Sequence, residues 1–238
     1  MKNLAFAVLA GIVLISGLIA GCQGVVFGSG DPETRTFDLT GFTRVEAHNG
    51  FQIEITQSST FGVEVTTDDN VWKYLDVEKS GDILVISFDW NRSYSAVIKE
   101  AVITMPEIEG IQLSGGSQGE ITGFSSSRDF RVKLSGGSGL DGAFSTGDTE
   151  INMSGGSRVT LTGSGENLVI YSSGGSKADL EDFSVYDSDI TISGGGSADI
   201  NMVGVLDANL SGGSRVRYTG SVEIGDLQLS GSSTISKK

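Results

Sequence analysis

The chain is poor in the residues that most often carry chemistry: its 238 residues include one cysteine, Cys22, one histidine, His48, and two prolines. A lone cysteine excludes an intramolecular disulfide framework. A lone histidine means that any serine or cysteine triad must use His48, and that a zinc site would be carboxylate-rich, a poor match for that ion. Basic residues are scarce too, with 16 Lys and Arg against 30 Asp and Glu and a formal net charge of -14. Such a balance repels phosphate backbones, and no basic patch interleaved with aromatics interrupts it, which argues against nucleic acid as a partner.

What abounds is glycine, with 35 residues. Glycine without a three-residue period is not collagen, and apolar alternation between the glycines argues for folded β structure rather than a low-complexity coil. With 38% apolar residues, the chain can bury one sizeable core.

The N-terminus reads as an address. Lys2 precedes an apolar run from Leu4 to Ala20 (LAFAVLAGIVLISGLIA), the basic start and hydrophobic middle of a secretory signal. The run ends in Ile19-Ala20-Gly21-Cys22, which resembles the lipobox of bacterial lipoproteins, where small residues admit the signal peptidase and the thiol is acylated. The expectation is a signal peptide over 1–21, lipidation at Cys22, and an extracytoplasmic domain lipid-anchored to the bacterial membrane or cell surface. A transmembrane anchor is the competing reading, because the run reaches the lower edge of spanning length. Residues 22–35, with their Gly-Ser-Gly-Asp-Pro break, read as a tether before a domain over 36–238.

A self-similarity dominates 111–238. Ser-Gly-Gly-Ser opens at Ser114, Ser135, Ser154, Ser173, Ser193, Ser211 and Ser230, a step of about 19 residues, although Gly196 replaces the second serine of one copy and Ser232 the second glycine of the last. Aligned on this signature, the third residue before the first serine is Ile111, Val132, Ile151, Ile170, Ile190, Ala208 or Leu227. The second residue after the last serine is Gly119, Leu140, Val159, Ala178, Ala198, Val216 or Ile235. Apolar positions alternate with polar ones, the mark of strands with one buried face. The step is too short for a propeller blade and lacks a leucine-rich pattern, so the predicted fold is all-β: a right-handed parallel β-helix whose coils stack like positions into an apolar interior. The glycine pair supplies positive φ at a sharp corner, and the flanking serines are expected to stack as hydroxyl ladders.

Before Met105 the signature is absent but alternation continues, in Phe51-Gln52-Ile53-Glu54-Ile55, Phe61-Gly62-Val63-Glu64-Val65 and Ile83-Leu84-Val85-Ile86. Asp68-Asp69-Asn70 stands where it could cap one helical turn. This half reads as wider initial coils that cap the stack. Here the sequence resembles the head GIN domain family of autotransporter adhesins. The matching stretches are Phe42-Thr43-Arg44-Val45, Gly50 to Gln57, Val63-Glu64-Val65, Gly81 to Ile86, Val102 to Pro106 with Ile108, Gly110 and Ile111, and the Ser-Gly repeats. The resemblance implies a β-helical envelope protein, often lipid-anchored, with a role in adhesion, and it brings no catalytic residues or cofactor.

The outward columns are the remaining source of chemistry. One holds Gln118, Gly139, Arg158, Lys177, Ser197, Arg215 and Thr234, and the next holds Glu120, Asp141, Thr160, Asp179, Asp199 and Arg217. Arg158, Lys177, Arg215, Asp141, Asp179 and Asp199 thus form a candidate binding face. A third column is a polar ladder of Gln112, Lys133, Asn152, Tyr171, Thr191, Asn209 and Gln228. The leading expectation is a non-enzymatic surface lipoprotein that contacts glycans or envelope proteins. The alternative is a polysaccharide lyase or hydrolase built on the same acidic and basic residues, since stacked carboxylates fall near the separation that glycoside hydrolysis requires.

Overall fold

In the computed structural model, which describes residues 24–238, the alternating segments are strands and the Ser-Gly-Gly-Ser signatures are the corners between them. The segment read as a signal peptide and Cys22 lie outside the described residues. Each repeat contributes one strand to a ten-stranded sheet, turns at its signature, and contributes a second strand to an eleven-stranded sheet. One such coil runs through Thr149–Met153, the corner at Ser154 to Ser157, and Arg158–Ser164. Neighbouring coils pair in parallel, and Ile111, Val132, Ile151, Ile170, Ile190, Ala208 and Leu227 are successive partners. The columns read from the sequence are therefore stacks, and their side chains from Ile111 to Leu210 lie in one continuous buried core, whereas Leu227 and Leu229 of the last coil are exposed. The fold is a parallel β-solenoid.

The corners work differently from the expected hydroxyl ladders. The second serine is buried, and its hydroxyl donates to the carbonyl of the first serine of the same coil: Ser138 to Ser135 at 2.8 Å and Ser157 to Ser154 at 2.7 Å. A bend leaves that carbonyl without a ladder partner, and the hydroxyl three residues on supplies one. The first glycine of each signature is left-handed, as at Gly155 (φ 67°) and Gly174 (φ 76°). A Cβ on Gly155 would stand 3.1 Å from the Gly136 nitrogen of the coil below. Gly175 has no such φ, because its strand, Leu168–Gly174, already runs through the first glycine and one left-handed residue completes the bend.

The first half caps the stack, though not as a series of wider coils. Strands Arg44–Ala47 and Gln52–Gln57 form a regular coil in register with Gly110–Leu113 and Gln118–Ser125. Its corner is His48-Asn49-Gly50-Phe51, where Asn49 (φ 67°) and Gly50 (φ 82°) repeat the left-handed pair; asparagine tolerates that region better than other side chains. The chain then doubles back. Ile83–Phe88 and Lys99–Met105 pair with the other edge of this coil, and only afterwards does the chain cross over it to begin the repeats. Antiparallel strands close this end, Leu75–Ser80 on Ile83–Phe88 and Gly62–Asp68 on Lys99–Met105. The expected helical turn is a short 3-10 helix, Asp69–Tyr74.

The segment read as a tether carries two strands. Val25–Phe27 pairs with Ser93–Ser95, and Pro32–Thr36 covers Gly62–Asp68. Between them the buried Asp68 accepts hydrogen bonds from the Gly30 and Ile98 nitrogens, at 2.6 and 2.8 Å, and clips the segment to the cap. Among the described residues no helix is long and apolar enough to cross a membrane.

Candidate binding faces

Two outward faces follow from the stack. On the eleven-stranded sheet, parallel pairing puts Lys177 beside Arg158, with Ser197 between Lys177 and Arg215, and it puts Asp179 beside Asp199, with Thr160 between Asp141 and Asp179. The six residues singled out in the sequence do share one surface. Much of their charge is already spent. Lys177 Nζ lies 3.0 Å from the Asp179 carboxylate, and Lys238 pairs with Glu181. Asp199 is buried, and both its oxygens accept from Arg217 of the next coil. Burial pushes the Asp199 carboxyl up, but the Arg217 hydrogen bonds and the charges of Arg217, Lys238 and Lys177 outweigh it and hold the group below the ordinary aspartate range. The Arg217 guanidinium is raised in turn, chiefly by its hydrogen bonds to Asp199.

Asp179, Glu181 and Asp199 bring their carboxylate oxygens within 4.8 Å of one another, as a cation site would. Each has its own basic partner, so the trio is a balanced ion-pair network. Arg158 and Arg215 remain exposed. Asp141 lines a hollow of about 230 Å³ with Glu120, Thr160 and Thr162.

The ten-stranded sheet has the more continuous relief. Its polar ladder lies outward in register, and two adjoining hollows run along it. One, of about 300 Å³, is lined by Lys133, Asn152, Tyr171 and Thr191 with serines of the corner column. The other, of about 190 Å³, continues over Arg44, Glu46 and Gln112 and shares Lys133 and Asn152. Tyr171 is 47% exposed. The amides are oriented by carboxylates of neighbouring positions, Asn152 donating to Glu150 at 2.7 Å and Gln112 to Glu46 at 2.7 Å.

At the lower end of this face stands a relay that the sequence did not reveal. The two His48 ring nitrogens meet Ser114 Oγ at 2.5 Å and Glu46 Oε1 at 2.8 Å. Serine, imidazole and carboxylate in line resemble a nucleophilic triad, but catalysis also needs a substrate cavity at the serine. The hollows over Lys133 and Asn152, over Arg44 and Gln112, and over Arg131 and Glu150 are not lined by Ser114 or His48. His48 occupies the place that serine takes in later coils, so its bonds tie two corners together. The spacing of 66 residues between His48 and Ser114 hid this pairing from any local reading.

The family model described as "Putative auto-transporter adhesin, head GIN domain" matches residues 41–221. The chain belongs to this family. The head GIN region thus starts just before the coil that carries His48 and includes both outward faces except their last strands, Glu223–Leu229 and Thr234–Lys237. Solved structures share the fold. A "putative adhesin" from Bacteroides fragilis NCTC 9343 is 20% identical, with a TM-score of 0.82 over 90% of this chain and 100% of that one. A "putative lipid binding protein" from Parabacteroides distasonis ATCC 8503 is 19% identical, with a TM-score of 0.75 over 90% and 99%. A "putative adhesin" from Parabacteroides merdae ATCC 43184 is 19% identical, with a TM-score of 0.68 over 90% and 99%. At such identities the likeness is one of fold. No curated protein matches this head GIN chain.

Proposed function

We propose that the chain is a non-enzymatic, extracytoplasmic lipoprotein, anchored through Cys22, that attaches to surface or envelope glycans through the outer face of its ten-stranded sheet. The observation that carries the ligand class is the hollow over Lys133, Asn152, Tyr171 and Thr191. A half-exposed tyrosine ring offers a flat apolar surface to the C–H face of a sugar, and amide, ammonium and hydroxyl groups at coil spacing meet its hydroxyls. Attachment agrees with the family description and with the adhesins of the same fold. Two of the three carboxylates of the enzymatic alternative are poorly placed for acid catalysis, since Asp179 and Asp199 are each held by a cation.

Two measurements test this. The chain is incubated with a panel of neutral and acidic polysaccharides, and both retention and product size are followed. Retention without shorter products is expected; shorter products would establish the enzyme instead, with Asp141, Asp179, Asp199, Arg158, Lys177 and Arg215 as its candidates. In cells, Cys22→Ala is expected to abolish acyl labelling and to release the chain from the membrane fraction. An unchanged label rejects the anchor.

A further inference from the structure

The capped end of the solenoid presents large apolar side chains that the core does not use. Trp90 is 83% exposed, Phe27 63% and Val25 56%. Val25 and Phe27 flank one strand, Val25–Phe27, which runs parallel to Ser93–Ser95 with Val25 beside Ser93, and Trp90 precedes Ser93 by three residues. The strand is fastened to the cap. Val26 and Tyr94 pack against the core, and Asn70 Nδ2 donates to the Phe27 carbonyl at 2.9 Å, so Val25 and Phe27 are presented outward.

The sequence supplies the reason for this placement. Cys22 precedes Val25 by three residues, a reach of at most about 10 Å. If the Cys22 thioether carries acyl chains, these side chains stand at the level of the lipid headgroups. We infer that the capped end docks on the bilayer, with Val25, Phe27 and Trp90 entering the interface between headgroups and acyl chains. Tryptophan and phenylalanine suit that layer, with a large apolar surface and, for tryptophan, an N–H that stays hydrated. The net charge of -14 makes attraction to anionic headgroups a poor alternative, so the contact is apolar and insensitive to salt. The inference rests on the Cys22 anchor proposed above. It adds an orientation: the open end of the stack points away from the membrane and both outward faces stand upright from it.

The test uses the full chain with Trp72→Phe, which leaves Trp90 as the one tryptophan, reconstituted in phosphatidylcholine vesicles with or without brominated acyl chains. Expected are a blue shift of Trp90 emission, several-fold quenching by the brominated lipid, and protection from aqueous iodide. Val25→Ser with Phe27→Ser should weaken the quenching while the circular dichroism of the β-solenoid is kept. A chain that floats with the vesicles while Trp90 stays unquenched by lipid and open to iodide overturns the inference, and so does protection from iodide without lipid quenching, the signature of a second copy on this face. Acyl label is read on the same sample. Quenching without label removes the Cys22 reading and keeps the docking, whereas label without quenching does the reverse.

Discussion

Arg217 reaches back one coil to Asp199, its Nε and one terminal nitrogen each 2.6 Å from a carboxylate oxygen, and the carboxylate it meets is only 3% exposed. An aspartate in an outward column is thereby turned into a buried half of an ion pair. Removing the cation leaves the anion desolvated. Arg217→Ala is expected to destabilise the fold at neutral pH more than Arg158→Ala, which removes an exposed arginine of the same sheet, and urea midpoints of the two variants check the order.

The same pair sets a pH dependence. The folded Asp199 carboxyl is held below its ordinary value, so it contributes stability above about pH 4, where the unfolded group is ionised, and this is lost as pH falls through the lowered folded value. In Arg217→Ala the sign reverses, since burial then pushes the carboxyl up. Urea melts of both proteins should therefore converge as pH falls. A gap that stays constant from pH 7 to pH 3 would contradict the assignment.

Corner glycines should rank by backbone and space. Gly155→Val meets both a left-handed φ and the Gly136 nitrogen, and Gly156→Val meets a φ of 85° in open space. Gly175→Ala meets neither. Strain in that region costs about 1–3 kcal/mol, so midpoints should fall most for Gly155→Val, less for Gly156→Val, and by under about 0.5 kcal/mol for Gly175→Ala.

The paired serines of one corner should differ. Ser157→Ala removes a buried hydroxyl and orphans the Ser154 carbonyl, at a cost of about 1–2 kcal/mol, whereas Ser154→Ala changes a half-buried residue and should stay within about 0.5 kcal/mol. Equal thermal midpoints for the two variants would show that the inner hydroxyl does not close the turn.

The relay of Ser114, His48 and Glu46 should be structural. His48→Ala is expected to lower stability by about 1 kcal/mol through its two lost hydrogen bonds, and the parent chain should hydrolyse no activated ester faster than Ser114→Ala does. A burst of product from the parent alone would make Ser114 a nucleophile.

On the ten-stranded face, Tyr171→Ala and Asn152→Ala should each weaken glycan retention about tenfold or more, the loss expected for a central aromatic or a buried polar contact. Arg158→Ala, exposed on the opposite sheet, should leave retention unchanged. The reverse order would move the site to the charged face.

The repeat was legible because its causes are local. Every coil needs an apolar residue at the same phase, as at Ile111, Val132 and Ile151, and every corner needs a left-handed glycine, as at Gly155, so composition and spacing record both. The corner at Asn49-Gly50 obeys the same rule, and the strand end at His48 before a glycine turn is legible, but its kinship with the repeat corners is not, since His48 and Phe51 stand where the later copies have serine. The order of the first coils, in which Ile83–Phe88 lies beneath Arg44–Ala47 while the later strand Gly110–Leu113 lies above it, was decided only in three dimensions. Backbone pairing between distant strands is indifferent to side-chain identity and leaves no local mark. The same holds for burial: Asp179 and Asp199 are alike in sequence, yet only Asp199 is enclosed, because exposure is set by neighbours that other coils supply.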